Sequence, residues 1–462
     1  VSYLDFLAGK SQYGSAEGFP VKTEADFLFG FQRDLVDWAA DIGRGAIFAD
    51  CGLGKTPMQL VWADSARRAT GKPTLVLTPL AVAFQTETEA AKFGIEAAVS
   101  RDGSISAPIV VTNYEQIEKF NPDDFGAVVC DESSAIKSFD GKRKALVTEF
   151  MRTVPYRLLC TATAAPNDYV ELGTSSEALG YLGHMDMLSR FFVNDNKTSR
   201  GFRNHSWGKV REDAFQGQQW RFKGHAEDAF WRWVVSWARA VRRPSDLGYP
   251  DDGYVLPELR EIRHTIETGT VPDGRLFDVP AVGLHEEREE IRRTLRERCE
   301  KAAEIMVDAK PGVAWCHLND EADMLVKLID GAVQVSGSDS PEEKEEKLHA
   351  FSDGQIRVLV TKPKLGAWGL NWQHCHRMTY FPSHSYEQYY QAVRRAWRFG
   401  QTEPVTIDIV TTPGGERVFA NLTRKAAAAE QMFDALTRHM RDALGITPIS
   451  TYPHPVQIPS WI

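Results

Sequence analysis

Short apolar runs and stretches of helical periodicity alternate along most of this chain. In its first half the runs fall at Ala46–Ala49, Thr74–Thr78, Ile109–Thr112, Ala127–Cys130 and Arg157–Cys160. Between them, Met58–Arg67, Ala81–Lys92 and Gly141–Met151 read as helices, and Phe31, Leu35 and Trp38 recur at helical spacing ahead of the first run. Apolar strands separated by helices predict a parallel sheet covered on both faces. The regularity stops near Gly180 and resumes past Pro257. Strands are then predicted at Gly312–Cys316, Ala332–Val335, Arg357–Thr361, Arg377–Tyr380 and Val405–Thr411, with helices at Asp320–Ile329 and Pro341–Phe351. His285–Lys301 reads as a charged, solvated helix, and Glu416–Leu444 as a long C-terminal one. The expectation is an α/β chain of two lobes: an N-terminal extension (1–23), lobe one (24–255), lobe two (256–445) and a Pro-rich tail (446–462).

Lobe one carries an insertion over about 180–250, rich in aromatic and basic residues: Arg200, Phe202, Arg203, Trp207, Lys209, Arg211, Trp220, Arg221 and Lys223. Phe230–Arg243 follows as an amphipathic helix with a Trp-laden face. Bases stack on aromatic rings and phosphates pair with Arg or Lys, which makes the insertion a candidate nucleic-acid surface. The other reading is that its Trp residues pack it onto the lobe. Packing is favoured for most of them, with basic residues left over for phosphate.

Composition changes this picture little. The 462 residues are 43% hydrophobic, ample for two cores, and 54 basic against 63 acidic residues give a formal net charge of −9. Any hold on nucleic acid must therefore come from local basic surface. Six cysteines without a CxxC pair, several in strand-like runs, predict reduced, buried thiols. No apolar run is long enough to span a bilayer and no signal peptide is evident, so a cytoplasmic protein without a membrane partner is expected.

The chemistry begins at Ala49–Thr56, where Gly52-Leu-Gly-Lys-Thr56 forms the end of a phosphate-binding loop between a strand and a helix. Ala49 stands where the first glycine of that motif usually does. Gly52 and Gly54, flanking Leu53, let the backbone aim N–H groups at phosphate oxygens. Lys55 offers a mobile charge to the β- and γ-phosphates, and the Thr56 hydroxyl can hold Mg²⁺. The dipole of the following helix adds to both. Asp131 and Glu132 stand at the end of a later apolar strand, where Asp131 would hold Mg²⁺ and Glu132 polarise the attacking water. Gln391, Arg395 and Arg398 are spaced to share one face of a helix, presenting two guanidinium groups to a transferring phosphoryl group. ATP and Mg²⁺ are the cofactors these elements call for.

Together these stretches resemble the superfamily-two helicase-like ATPases, most closely the Swi/Snf group of double-stranded DNA translocases, from Phe29 to about Thr411. Phe31–Trp38 is similar to the Q motif, which implies that Gln32 reads adenine. Asp50–Thr56 resembles motif I, Val76–Pro79 motif Ia, Asp131–Ser134 motif II and Thr161–Asn167 motif III. Lys364–Asn371 resembles motif V and Gln391–Gln401 motif VI, so Gln391 would join the nucleotide site and Arg395 and Arg398 would act as arginine fingers. The resemblance implies two RecA-like lobes around a nucleotide cleft, and grip on nucleic-acid phosphates through Pro79, Leu80, Asn113, Thr361 and Lys364. Ser133 and Ser134 replace the usual Ala-His of motif II, Ala162 and Ala367 stand where Gly is common, and Arg394 replaces a Gly of motif VI. The implied activity is an ATP-dependent translocase on double-stranded DNA, a compact phage or bacterial member of the group. A strand-separating helicase and a nucleotide-gated clamp remain open, as do oligomeric state and a replication, recombination or other phage or host protein partner.

Overall fold

A computed structural model of the chain describes residues 18–138, 141–165, 169–194, 220–266, 284–366 and 370–445. The predicted strands form, and with one further short strand the first half contains β1 (Arg44–Ala49), β2 (Thr74–Thr78), β3 (Ala97–Val99), β4 (Ile109–Asn113), β5 (Ala127–Asp131) and β6 (Tyr156–Cys160). A hairpin of β7 (Phe192–Asn194) and β8 (Trp220–Phe222) precedes β9 (Ala238–Val241). The first sheet runs β3-β4-β2-β5-β6-β1-β9, with every neighbouring pair parallel. Alternate residues feed two cores. Phe48, Leu75, Val128 and Leu159 face one, and Ile47, Val76, Val129 and Leu158 the other. Helices on both faces remove those side chains from water, as continuous apolar strands require.

One predicted element is corrected. The helix expected to run through Arg243 ends at Trp237, and the next four residues become β9, paired in register with β1 from Ala46↔Ala238 to Ala49↔Val241. The open edge of β1 needs partners for its backbone groups, and that tertiary demand overrides local helical spacing. Phe230, Trp231, Trp233 and Trp237 are buried, so the packing reading holds for them. Arg200, Phe202, Arg203, Trp207, Lys209 and Arg211 lie outside the described residues.

The second sheet contains β10 (Leu259–Thr265), β11 (Gly312–Trp315), β12 (Ala332–Val335), β13 (Val358–Thr361), β14 (Arg377–Tyr380) and β15 (Val405–Thr411), in the order β10-β15-β14-β11-β13-β12, all parallel. The expected fold of two RecA-like α/β lobes is thus the observed one. β3 and β10 escaped the periodicity: β3 has three residues, and β10 is a mostly exposed, charged edge.

The helix Glu416–Leu444 joins the lobes. Its Leu422 packs in the second lobe's core, whereas Met432, Phe433, Leu436 and Met440 belong to a core of the first. Arg242–Asp434 (2.9 Å) and Arg441–Asp246 (2.5 Å) flank that second contact. Among the described residues, no helix is long and apolar enough to cross a membrane.

Candidate functional site

The loop after β1 turns through Asp50–Gly54 into the helix Lys55–Thr70. Gly52 at φ 89° and Gly54 at φ 74° adopt left-handed conformations that a Cβ resists. Space is closed as well: a Cβ on Gly54 would lie 2.3 Å from Gln32 Nε2, and one on Gly52 2.8 Å from the Phe399 backbone nitrogen. Gln32 holds the loop from one side, its Nε2 donating to the Leu53 carbonyl (2.8 Å) while its Oε1 accepts the Phe29 N–H (2.9 Å). The Leu53 side chain is buried in the core behind. The Lys55 ammonium donates to the Ala49 carbonyl at 3.1 Å, tucked under the strand end.

β5 delivers the acidic pair. Asp131 ends the strand, its Oδ1 accepting Gln59 Nε2 at 2.7 Å and its carbonyl accepting the Tyr114 hydroxyl at 2.7 Å. Burial, with the adjacent Glu132, pushes the Asp131 carboxyl up to about 6, against the pull of Gln59 and Lys55. Glu132 sits at φ 47°, the one non-glycine with positive φ among the described residues. Its Oε2 accepts the Thr161 hydroxyl at 3.2 Å. Two residues on, the Thr163 hydroxyl donates across to Glu387 Oε1 of the second lobe at 3.3 Å, so the stretch after β6 touches both the carboxylate pair and the opposite lobe. The Thr56 hydroxyl and the buried Asp131 carboxylate are hard oxygen donors in one cleft, which suits Mg²⁺.

The second lobe corrects one expectation. The helix predicted to carry Gln391, Arg395 and Arg398 spans Tyr386–Val393, and both arginines lie in the turns beyond it. The Arg395 carbonyl, which a continuing helix would give to Phe399, instead accepts the Trp372 N–H at 2.8 Å. Both guanidinium groups nonetheless reach the cleft. Arg395 donates to the Leu370 carbonyl (3.0 Å) and to Gln391 Oε1 (3.0 Å), and Arg398 to Leu370 at 3.4 Å. Burial, with Arg395 beside it, pulls Arg398 down to about 10.

Gln32, Lys55, Thr56, Asp131, Glu132, Arg395 and Arg398 therefore line a single cleft between the lobes, together with Gly52 and Gly54. Gln391 lies behind that lining, fully buried, with Oε1 also 3.9 Å from Cys51 Sγ. Of the residues expected to grip nucleic acid, Leu80 and Lys364 are exposed. Pro79 precedes Leu80 in the turn after β2, and its carbonyl accepts the Thr78 hydroxyl at 3.1 Å. Asn113 and Thr361 are buried: Asn113 caps the next turn through the Glu115 N–H (3.1 Å), and Thr361 donates to the Val335 carbonyl (3.3 Å).

Several cleft residues were not singled out by the sequence. Glu89 and Gln85 bring a carboxylate and an amide bonded at 3.0 Å, and burial raises Glu89 against the pull of Gln85 and Arg398. Tyr254, on the connection between lobes, stacks on Phe399 at 4.3 Å and meets Phe31 edge-on at 5.5 Å. Gln59, buried behind the cleft on Asp131, had a signal, since it stands four residues after Lys55 on the same helix face. Tyr254 had none: its role depends on two segments far apart in the chain.

Residues 304–400 match the helicase conserved C-terminal domain family. A search of curated proteins finds no match. Among solved structures, the chain is similar to S. cerevisiae Dbp5 bound to RNA and ADP BeF3, at 12% identity and TM-score 0.50 over 89% of this chain and 94% of that one. It is also similar to the Sulfolobus solfataricus SWI2/SNF2 ATPase core in complex with dsDNA, at 14% identity and TM-score 0.40 over 95% of this chain and all of that one.

Proposed function

We propose that this chain, which carries a superfamily-two helicase core, is an ATP-driven translocase on double-stranded DNA. The observation that carries the reading is the divided site: lobe one brings the phosphate loop and the acidic pair, and lobe two brings Arg395 and Arg398 to the same cleft. ATP phosphates between them would meet the loop and Lys55 from one side and two guanidinium groups from the other, so nucleotide binding favours closure. Mg²⁺ held by Thr56 and Asp131 would neutralise charge on the phosphates. Glu132, which accepts the Thr161 hydroxyl, would orient the attacking water, and Arg395 and Arg398 would stabilise charge on the transferred group. Hydrolysis weakens the link, the lobes part, and a strand gripped by each in turn is drawn along. Thr163–Glu387 supports this coupling, because it connects the segment beside Glu132 to the opposite lobe.

The sequence resemblance to the Swi/Snf group favours duplex DNA as the track. Steady-state ATP hydrolysis measured alone, then with duplex DNA, single-stranded DNA and duplex RNA at fixed salt, tests it. Stimulation by duplex DNA alone is expected. Preference for single strands or RNA would replace the translocase by a strand-separating helicase, and no stimulation by any of them would point to a missing partner or to a nucleotide-gated clamp.

A further inference from the structure

Arg394 is the one arginine of the Gln391–Gln401 stretch that the arginine-finger scheme does not use. It comes from lobe two, yet its guanidinium makes an ion pair with Asp50, the first residue of the phosphate loop in lobe one. The Tyr390 hydroxyl donates to the other oxygen of the same carboxylate. The pair is enclosed, with side-chain exposures of 5% for Arg394 and 14% for Asp50. Arg394 also lies over the Trp397 ring at 4.9 Å and donates to the Trp397 carbonyl at 3.1 Å, which fixes it on its own lobe.

Asp50 in turn is wired into the phosphate loop. Its Oδ1 accepts the Cys51 N–H at 2.6 Å, and its carbonyl lies 3.5 Å from Lys55 Nζ. A carboxylate at this point is a liability, since it adds negative charge within a few residues of the groups that must attract phosphate. Among the described residues, the carboxylate's ion-pair partner comes from the opposite lobe.

We propose that Arg394 is a positioning residue that neutralises Asp50 across the lobe boundary, so that the phosphate loop reaches full affinity for a nucleoside triphosphate only when the lobes are together. The inference rests on the nucleotide reading above and extends it. Closure and binding become reciprocal: the pair favours closure, closure removes a repulsive charge, and bound phosphate is thereby held more tightly. When the lobes part, Asp50 is left unpaired beside the loop, which favours release of the nucleotide.

The test is equilibrium binding of a fluorescent, non-hydrolysable ATP analogue with Mg²⁺, using the full chain and variants shown to be folded by circular dichroism. Failure of the unaltered chain to bind would overturn the nucleotide reading itself, separately from the role of Arg394. With binding established, Arg394→Gln should weaken affinity by about tenfold or more, the effect of one unscreened charge at partly buried range. Asp50→Asn should not weaken it, and the double variant should return to within about threefold of the unaltered chain, because the coupled pair is not additive. Arg394→Lys should restore most of the loss. A purely structural contact would make both single variants weaken binding alike, with no recovery in the double. That outcome, or unchanged affinity in Arg394→Gln, overturns the proposal. Should Arg394→Gln not fold, Asp50→Asn and Arg394→Lys still decide: a tenfold loss in either contradicts neutralisation.

Discussion

Glu132 shows how a single residue can be held against its own preferences. A left-handed backbone costs a non-glycine residue roughly 1–3 kcal/mol, and such strain survives only where the surroundings over-determine it. Here the Ser133 N–H donates to the Cys160 carbonyl at 2.9 Å and Thr161 grips the carboxylate, so both ends of the residue are fixed. Glu132→Gln should therefore keep nucleotide binding but lose turnover by about 10²–10⁴-fold, the usual worth of a positioned general base. Phosphate release together with analogue binding checks this, and undiminished release would remove Glu132 from the chemistry. Lys55→Ala should lose nucleotide binding itself, and normal affinity in that variant would count against the phosphate loop. The thiols make a quieter prediction. Burial pushes Cys130 and Cys375 each up to about 12, so both stay protonated and enclosed at neutral pH. Alkylation followed by mass spectrometry should leave them unmodified until denaturant is added, and rapid labelling of the native chain would contradict their burial.

At the level of elements, the helix Glu416–Leu444 forms over its predicted span, but nothing in its sequence announces that it joins the lobes. Its 29 residues extend about 43 Å, long enough to leave one lobe and reach the other. Its later apolar positions complete the first lobe, packing near the Ala226–Trp237 helix, where Trp231 stacks on His439 at 6.4 Å. Leu436→Ala should then destabilise the chain by about 2–5 kcal/mol through the cavity it leaves. Leu436→Met, close in volume, should cost under about 1.5 kcal/mol. Chemical denaturation of both variants tests the assignment, and equal, negligible effects would mean that the contact contributes little to stability.

At the scale of the whole molecule, charge governs the expected behaviour. A chain of net charge −9 has no general attraction to nucleic acid, so binding must rest on a few local phosphate contacts. Stimulation of hydrolysis by duplex DNA should therefore decline steeply as salt is raised from about 50 to 200 mM, while the rate without DNA changes little. A stimulation insensitive to salt would point away from backbone contacts. Among the contacts that link the lobes at the cleft are Asp50–Arg394, Thr163–Glu387 and Tyr254–Phe399.

Most strands, most helices and the residues that meet in the cleft were legible in the sequence, because they depend on local rules. Apolar runs must be buried, glycine alone tolerates the turn before Lys55, and an acidic pair behind a buried strand stands at that strand's carboxyl end. What the sequence left undecided involves residues distant along the chain. The edge of β1 took Ala238–Val241 from helix to strand, and beyond the helix end at Val393 the Arg395 carbonyl serves the distant Trp372 N–H. Burial withdrew Asn113 and Thr361 into the interior, and the meeting of two lobes gave Asp50 its partner in Arg394. Such pairings separate residues by up to 344 positions, and no local pattern records them, since each side chain's energy is set by neighbours that only the tertiary fold brings close.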